Sequence, residues 1–543
     1  MSHSKQMMQA LIAAAVALAF TPSVNAAEKI NQQMCTACHG NIGQFHTVGK
    51  HKDLSCTSCH TGLEKHAGNP GKETRPVTSM DPQTCGNCHP AQFESMYKVN
   101  TAITPRASKK AAESVAPSPF FDRAMGMHGF TKEHNEPRSH TFAALDQYLC
   151  DRAFGDRFAP KEGWMYLAHE KGAIKVWDVI NDKFPQDNEQ KPRRMGTAAA
   201  ANPVCWSCKS TDLILDWAYL GDNVPGTTFS RESKVVDVMR KVNHALNCNF
   251  CHDPHSAKPR IVRDGLIQAV TRKDIPSLYS EDKNATKVEV VDLGVRGFTR
   301  KIGMLEKADT KLMCAQCHVE YNCNPGFDPK TGEKIGMKSQ LTNLFPLVDI
   351  TKIDDFYKQV GFKDFKHPMT GAALTKMQHP DVEVFWNSKH DKAGVQCGDC
   401  HMPKVKGKDG KVTTIHWATS PRNYLKETCQ NCHKDKSVDQ LNRVIDGMHA
   451  YHVGKLREAE SRMNEMFNAF VEAKNFGITG EAIKKAQELH SVAHTNWEWW
   501  TAANGAYFHN PEQAALSLAK SADAAIKATK ILRDAIAAKN AKK

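Results

Sequence analysis

Toward the C-terminus the apolar residues Leu441, Val444, Ile445, Met448, Tyr451, Leu456, Met463, Met466, Phe467 and Phe470 keep spacings of three and four. That period predicts one long amphipathic helix with a single buried stripe. Gly477 is expected to end it, Thr479 to cap a second helix running toward Gly505, and Asn510-Pro511-Glu512 to start a third. The stripes are read as core or as a subunit interface, and the chain as a homo-oligomer. At the other end, Leu11 to Phe20 form an apolar run that is too short to span a bilayer. With Lys5 before it and Val24-Asn25-Ala26 after it, the run reads as a signal peptide over residues 1–26, cleaved near Ala26, which places the mature protein in a bacterial periplasm.

Between these ends the chemistry is carried by cysteine. Seven Cys-x-x-Cys-His runs occur: Cys35, Cys38 and His39; Cys56, Cys59 and His60; Cys85, Cys88 and His89; Cys248, Cys251 and His252; Cys314, Cys317 and His318; Cys397, Cys400 and His401; Cys429, Cys432 and His433. Cysteines three apart share a helical face and can bond one porphyrin, while the next histidine reaches its iron. Roughly 0.03 such runs are expected by chance in a chain of this composition. An eighth pair, Cys205 and Cys208, is followed by Lys209 instead. Lysine there implies a different kind of iron, with a lost haem site or a disulfide as the alternatives. Eight covalently bound haems c are therefore expected.

Porphyrin then replaces much of the usual side-chain core, and the expected fold is mainly α with little strand: a haem-packed multihaem cytochrome c with long C-terminal helices. The first three motifs and the Ala-, Ser-, Lys- and Pro-rich stretch after them suggest an N-terminal trihaem domain and linker over residues 27–119. A pentahaem core over 120–436 and a helical region over 437–543 follow. The formal charge of +13 does not point to nucleic acid, because eight haems with two propionates each add roughly −8 to −16. Export argues against nucleic acid as well.

Of the 26 histidines, eighteen remain after the motif residues and His3 of the leader are set aside. Low-spin electron-transfer haems take a second axial histidine, which would absorb many of them.

The run Cys205-Trp206-Ser207-Cys208-Lys209-Ser210 resembles the active-site motif of cytochrome c nitrite reductases, the ammonia-forming multihaem enzymes. So do Glu136-Pro137-Arg138-Ser139-His140, Cys314 to Tyr321, Lys376-Met377-Gln378-His379-Pro380, Cys397 to Pro403 and Phe508-His509-Asn510-Pro511. The three additional motifs make the chain similar to the octahaem members. This resemblance, over roughly 120 to 520, implies six-electron reduction of nitrite to ammonium, with hydroxylamine and sulfite as further substrates and a periplasmic or membrane-associated electron donor. It implies Lys209 as the proximal ligand of the catalytic haem, and Arg152, Tyr321 and His379 as the distal pocket. Glu320, the Tyr321 carbonyl, the Lys376 carbonyl and Gln378 would hold calcium, a set of hard oxygen ligands that suits the ion. Distal ligands follow for four haems: His140 opposite His318, His416 opposite His252, His390 opposite His433 and His509 opposite His401. His46, His51, His66, His128, His244 and His255 stay as unranked candidates for the others.

Cys150 and Cys323 lie outside the motifs. The resemblance implies a thioether between Tyr321 and Cys323; buried thiols or a Cys150–Cys323 disulfide are the alternatives. Competing functions are an oxidative enzyme of the hydroxylamine oxidoreductase type, a sulfite or tetrathionate reductase, and an electron conduit in which Lys209 only tunes one haem.

Overall fold

The computed structural model describes residues 30–97, 118–126, 140–144, 203–216, 230–233, 237–238, 242, 244–292, 301–407 and 409–542. The leader, most of the linker, His128, Cys150 and Arg152 lie outside these. The chain forms two compact units, Met1–Ser79 and Met80–Lys543. It is mostly helical, with a few small sheets.

The first unit holds two short helices, Gln32–Cys38 and Gly40–Val48. It also holds a two-residue antiparallel pairing of His60–Thr61 with Val77–Thr78. At its first motif the histidine lies one helical turn past the first cysteine, with the His39 N–H donating to the Cys35 carbonyl at 2.9 Å. The third motif, Cys85 to His89, belongs to the second unit, where the Cys85 side chain meets that of Cys248.

In the second unit a small sheet is built from β1 (Arg260–Ile261), β2 (Val288–Asp292) and β3 (Lys301–Leu305) in the order β1-β3-β2, antiparallel throughout. Its apolar face and the helix Asp264–Thr271 enclose a core with Val204, Leu312, Val319, Tyr321, Phe345 and Trp386. This core lies under the lysine motif.

Three long helices follow: α1 (Val438–Asn475), α2 (Glu481–Ala502) and α3 (Pro511–Asn540). A capping box starts α1, with the Gln440 N–H donating to Ser437 Oγ at 3.2 Å and the Ser437 N–H to Gln440 Oε1 at 2.8 Å. Gly477, left-handed at φ +64°, lies just past its end. The second helix is capped by Gly480, not by Thr479, because the chain needs φ +76° there. Asn510 caps α3, accepting from the Gln513 N–H, with Pro511 at its first turn.

From Leu456 onward the predicted stripe is core: Leu456, Met463, Met466, Phe467 and Phe470 of α1 pack with Trp497, Trp499 and Trp500 of α2 and Leu518 and Leu532 of α3. Nearer the start of α1, Leu441 and Ile445 are buried in a separate cluster with Leu425, while Val444 and Tyr451 are exposed, against expectation. Alanines 514, 524, 525 and 528 of α3 let the helices approach closely. The same cluster takes in Phe121, Ile353, Phe356, Tyr357 and Met377, so the helices are fastened to the body that carries the motifs. No helix among the described residues is long and apolar enough to cross a membrane.

Candidate functional site

Pro203–Trp206 forms a short helix that carries Cys205, and Cys208 lies in the turn that follows it; both cysteines are buried. At the cysteine-histidine motifs of residues 85, 248, 314 and 429 the histidine N–H returns to the first cysteine's carbonyl, at 2.8–2.9 Å. Here the Lys209 N–H bonds the Trp206 carbonyl instead, at 2.9 Å. The motif is held from below by Arg263, which is 1% exposed. Its guanidinium bonds Ser207 Oγ and, through Nε, the Gln316 carbonyl at 3.3 Å, and lies over the Phe345 ring at 5.2 Å. The motif ending in His318 abuts this one, with the Cys317 thiol 3.6 Å from the Cys208 carbonyl.

The rings of Tyr321 and His379 stand 6.4 Å apart. Burial raises the Tyr321 hydroxyl well above its ordinary range, and the thiols of Cys208, Cys323 and Cys205 add to the effect, so the phenol keeps its proton. Gln378 Nε2 reaches Cys323 Sγ at 3.1 Å, and Cys323 is in no disulfide. Arg152, assigned to the same pocket, falls outside the described residues.

Beneath the pocket is a buried layer of carboxyls. Glu320 accepts from the Gln378 N–H at 2.6 Å and from the Tyr357 hydroxyl at 2.9 Å, while its own N–H donates to Glu383 Oε1 at 3.0 Å. Burial pushes both Glu320 and Glu383 well above the usual carboxyl range. Gln378 Oε1 and Glu383 Oε2 are buried without a hydrogen-bond partner, which fits oxygens held ready for a cation. A carboxylate has about four lone-pair sites, so Glu320 has two left for an ion. Among the described residues no three His, Cys, Asp or Glu gather as a metal cluster; this set instead draws on carbonyls and one amide.

A metal between two imidazoles, with bonds of about 2 Å, sets their ring centroids roughly 6 Å apart. The structure places His140 and His318 at 6.2 Å, His252 and His416 at 6.4 Å, His390 and His433 at 6.4 Å, and His401 and His509 at 6.2 Å. It also brings His66 to 6.3 Å from His39, a pairing the sequence left unranked. Burial, more than the neighbouring histidines, lowers His140, His252 and His509 to about 4, so each presents a neutral imidazole. Gly505 makes room for His509: it is left-handed at φ +64°, and a Cβ there would sit 3.2 Å from the His509 ring.

Other candidates lie elsewhere. His46 Nε2 is 3.0 Å from the Leu54 carbonyl, His244 Nδ1 is 3.0 Å from Asp212 Oδ1, and His255 is 3.6 Å from Asp253.

Sequence reasoning passed over three groups. Arg263 is one. Asp381, which meets His318, is another. The third is a buried row on α2, His490, His494 and Glu498, whose fourfold spacing was the available signal. His490 Nδ1 meets Thr370 Oγ1 at 2.8 Å, and His494 Nε2 is 2.9 Å from Glu498 Oε2.

A family model described as Cytochrome c552 matches residues 175–543. A protein named cytochrome c-552 from Haemophilus influenzae (strain ATCC 51907 / DSM 11121 / KW20 / Rd) is 29% identical over 429 residues, covering 75% of this chain and 66% of that protein. The cytochrome c-552 of Haemophilus ducreyi (strain 35000HP / ATCC 700724) is 27% identical, covering 78% and 68%. The chain thus spans about two thirds of the length of these relatives. A solved cytochrome c nitrite reductase, the catalytic subunit from Desulfovibrio desulfuricans ATCC 27774 with two calcium sites, superposes with a TM-score of 0.53 at 22% identity, over 82% of this chain and 87% of that one. It shows that the fold is shared.

Proposed function

Because the chain belongs to the cytochrome c552 family, whose cofactor is covalently bound haem c, we propose that it reduces nitrite to ammonium with six electrons. The reaction is assigned to a haem held by Cys205, Cys208 and Lys209 and fed by seven bis-histidine haems. One observation carries this reading: a buried phenol and an imidazole, Tyr321 and His379, come together beside the one motif that ends in lysine.

When bound, the haems would supply electrons and an iron able to bind the substrate. The residues do the rest. Lys209 would hold the iron through its amine. Tyr321, kept protonated by burial, and His379 donate protons to the oxygens that leave as water. Arg152 and His379 are assigned to steady negative charge on those oxygens. Glu320, Gln378 and the carbonyls of Tyr321 and Lys376 would hold calcium, and the ion would offset the buried negative charge.

The histidine pairs at 6.2–6.4 Å support bis-histidine ligation by His140, His416, His390 and His509, and add His66 for the first haem. We assign the protein to the periplasm, with a periplasmic or membrane-associated electron donor, the residue 27–119 trihaem region as the entry point and a homo-oligomeric assembly.

The test is ammonium production from nitrite by the haem-loaded protein with reduced viologen, with hydroxylamine and sulfite in parallel. Stoichiometric ammonium supports the reading. No turnover, with every iron low-spin, would make the protein a conduit and Lys209 a tuning ligand.

A further inference from the structure

The proximal imidazoles do not all meet the same partner. His401 Nδ1 bonds the Thr419 carbonyl at 2.9 Å, and His60 Nδ1 lies 3.0 Å from the Thr78 hydroxyl. Both partners are neutral. His318 Nδ1 instead meets a carboxylate, Asp381 Oδ2, at 2.7 Å.

Asp381 is built for that contact. It opens the short helix Asp381–Phe385 and is 7% exposed. The next residue, Val382, donates its N–H to the His318 carbonyl at 3.0 Å, so the two backbones are strapped together. From the end of α2, the Asn504 N–H reaches Asp381 Oδ1 at 2.5 Å and its Nδ2 reaches Oδ2 at 3.1 Å. Asp381 also sits two residues after His379, whose carbonyl accepts the Asp381 N–H at 2.7 Å. The haem concerned is the one whose motif abuts the lysine motif, through the contact of Cys317 with the Cys208 carbonyl.

An acceptor on the far nitrogen of a ligating imidazole makes it a stronger donor to iron, and a full negative charge does so more than a carbonyl. The charge acts through a poorly screened interior. Ferric iron is favoured over ferrous, and the potential falls.

We propose that Asp381 is a potential-tuning residue: its hydrogen bond to His318 lowers the potential of the haem at Cys314–His318, so that this haem passes electrons to its lysine-ligated neighbour instead of retaining them. The inference rests on covalent haem at Cys314 and Cys317, and not on which oxyanion is reduced.

The experiment is a spectroelectrochemical titration of the full-length, haem-loaded protein with paramagnetic resonance at each potential, after haem content has been checked. In Asp381→Asn the haem of His318 moves furthest to higher potential, the haem of His401, which also feels the Asp381 charge, follows by less, and Asp381→Glu returns both toward the wild-type values. Asn504→Ala, which removes one competing donor from Asp381 Oδ2, moves the haem of His318 the opposite way. The proposal is overturned if no haem moves in Asp381→Asn, or if the Asn and Ala variants shift it in the same direction. Ammonium yield enters neither outcome, so loss of the nitrite reading leaves the result interpretable.

Discussion

The Gln378 backbone N–H donates to Glu320 Oε2 at 2.6 Å, closing a bridge between two segments 58 residues apart in sequence. Both side chains are assigned to calcium, so the ion would tie the same two segments together. Chelation is expected to lower the melting temperature, and calcium at a hundredfold above its dissociation constant to restore about 2.7 kcal/mol. In Glu320→Gln that increment should vanish. Equal melting curves with and without calcium would remove the site.

Turnover should depend on the two pocket residues that share a 6.4 Å ring contact. Tyr321→Phe and His379→Asn are each expected to lower nitrite turnover by about 10²–10⁴-fold. Haem content and absorption spectra should stay as in the wild type. Undiminished turnover in both would leave the proton donors unidentified.

The helices were legible because a 3.6-residue period survives any amount of ignorance about partners, and Phe467 and Met463 are buried where that period puts them. The histidine pairs were reachable only through family motifs: nothing local to His509 says that it faces His401 across more than a hundred residues. Asp381 was invisible for a related reason. In sequence it is one acid after a proline, and its meaning comes from a nitrogen 63 residues away. The Gly480 cap was missed because threonine is a common cap by side chain, while the chain at this point required a backbone conformation that glycine adopts freely.

Acid should loosen the packing of the C-terminal helices. His367 and His490, 1% and 0% exposed, are lowered by burial, His367 to about 4 and His490 well below the usual 6.5. His367 faces Arg123 and His490, and His490 faces His494 and Thr370, so no carboxylate in contact compensates a gained proton. A lowered histidine binds fewer protons folded than unfolded; its stabilisation is present above 6.5 and is lost as pH falls toward 4. Denaturant midpoints should drop across that window, and His490→Gln should flatten the drop. A slope unchanged by the substitution would clear these histidines of the effect.

Phe467 lies at the meeting of α1 with α2 and stacks on His367 at 5.0 Å. Phe467→Ala leaves a void there and is expected to cost about 3–5 kcal/mol. Urea unfolding followed by tryptophan fluorescence reads it directly, since Trp497, Trp499 and Trp500 share the cluster. A loss under about 1 kcal/mol would mean that the helices close over the gap.

The proposed ligation by His509 has a consequence for the order of assembly. A chain made from its N-terminus exposes every cysteine motif, the last ending at His433, before the residue that faces His401 at 6.2 Å exists. Porphyrin would then be fastened at Cys397 and Cys400 while that flank is still open. On the proposed ligation, a chain that stops short of residue 509 would leave this cofactor with one protein ligand and an exposed face.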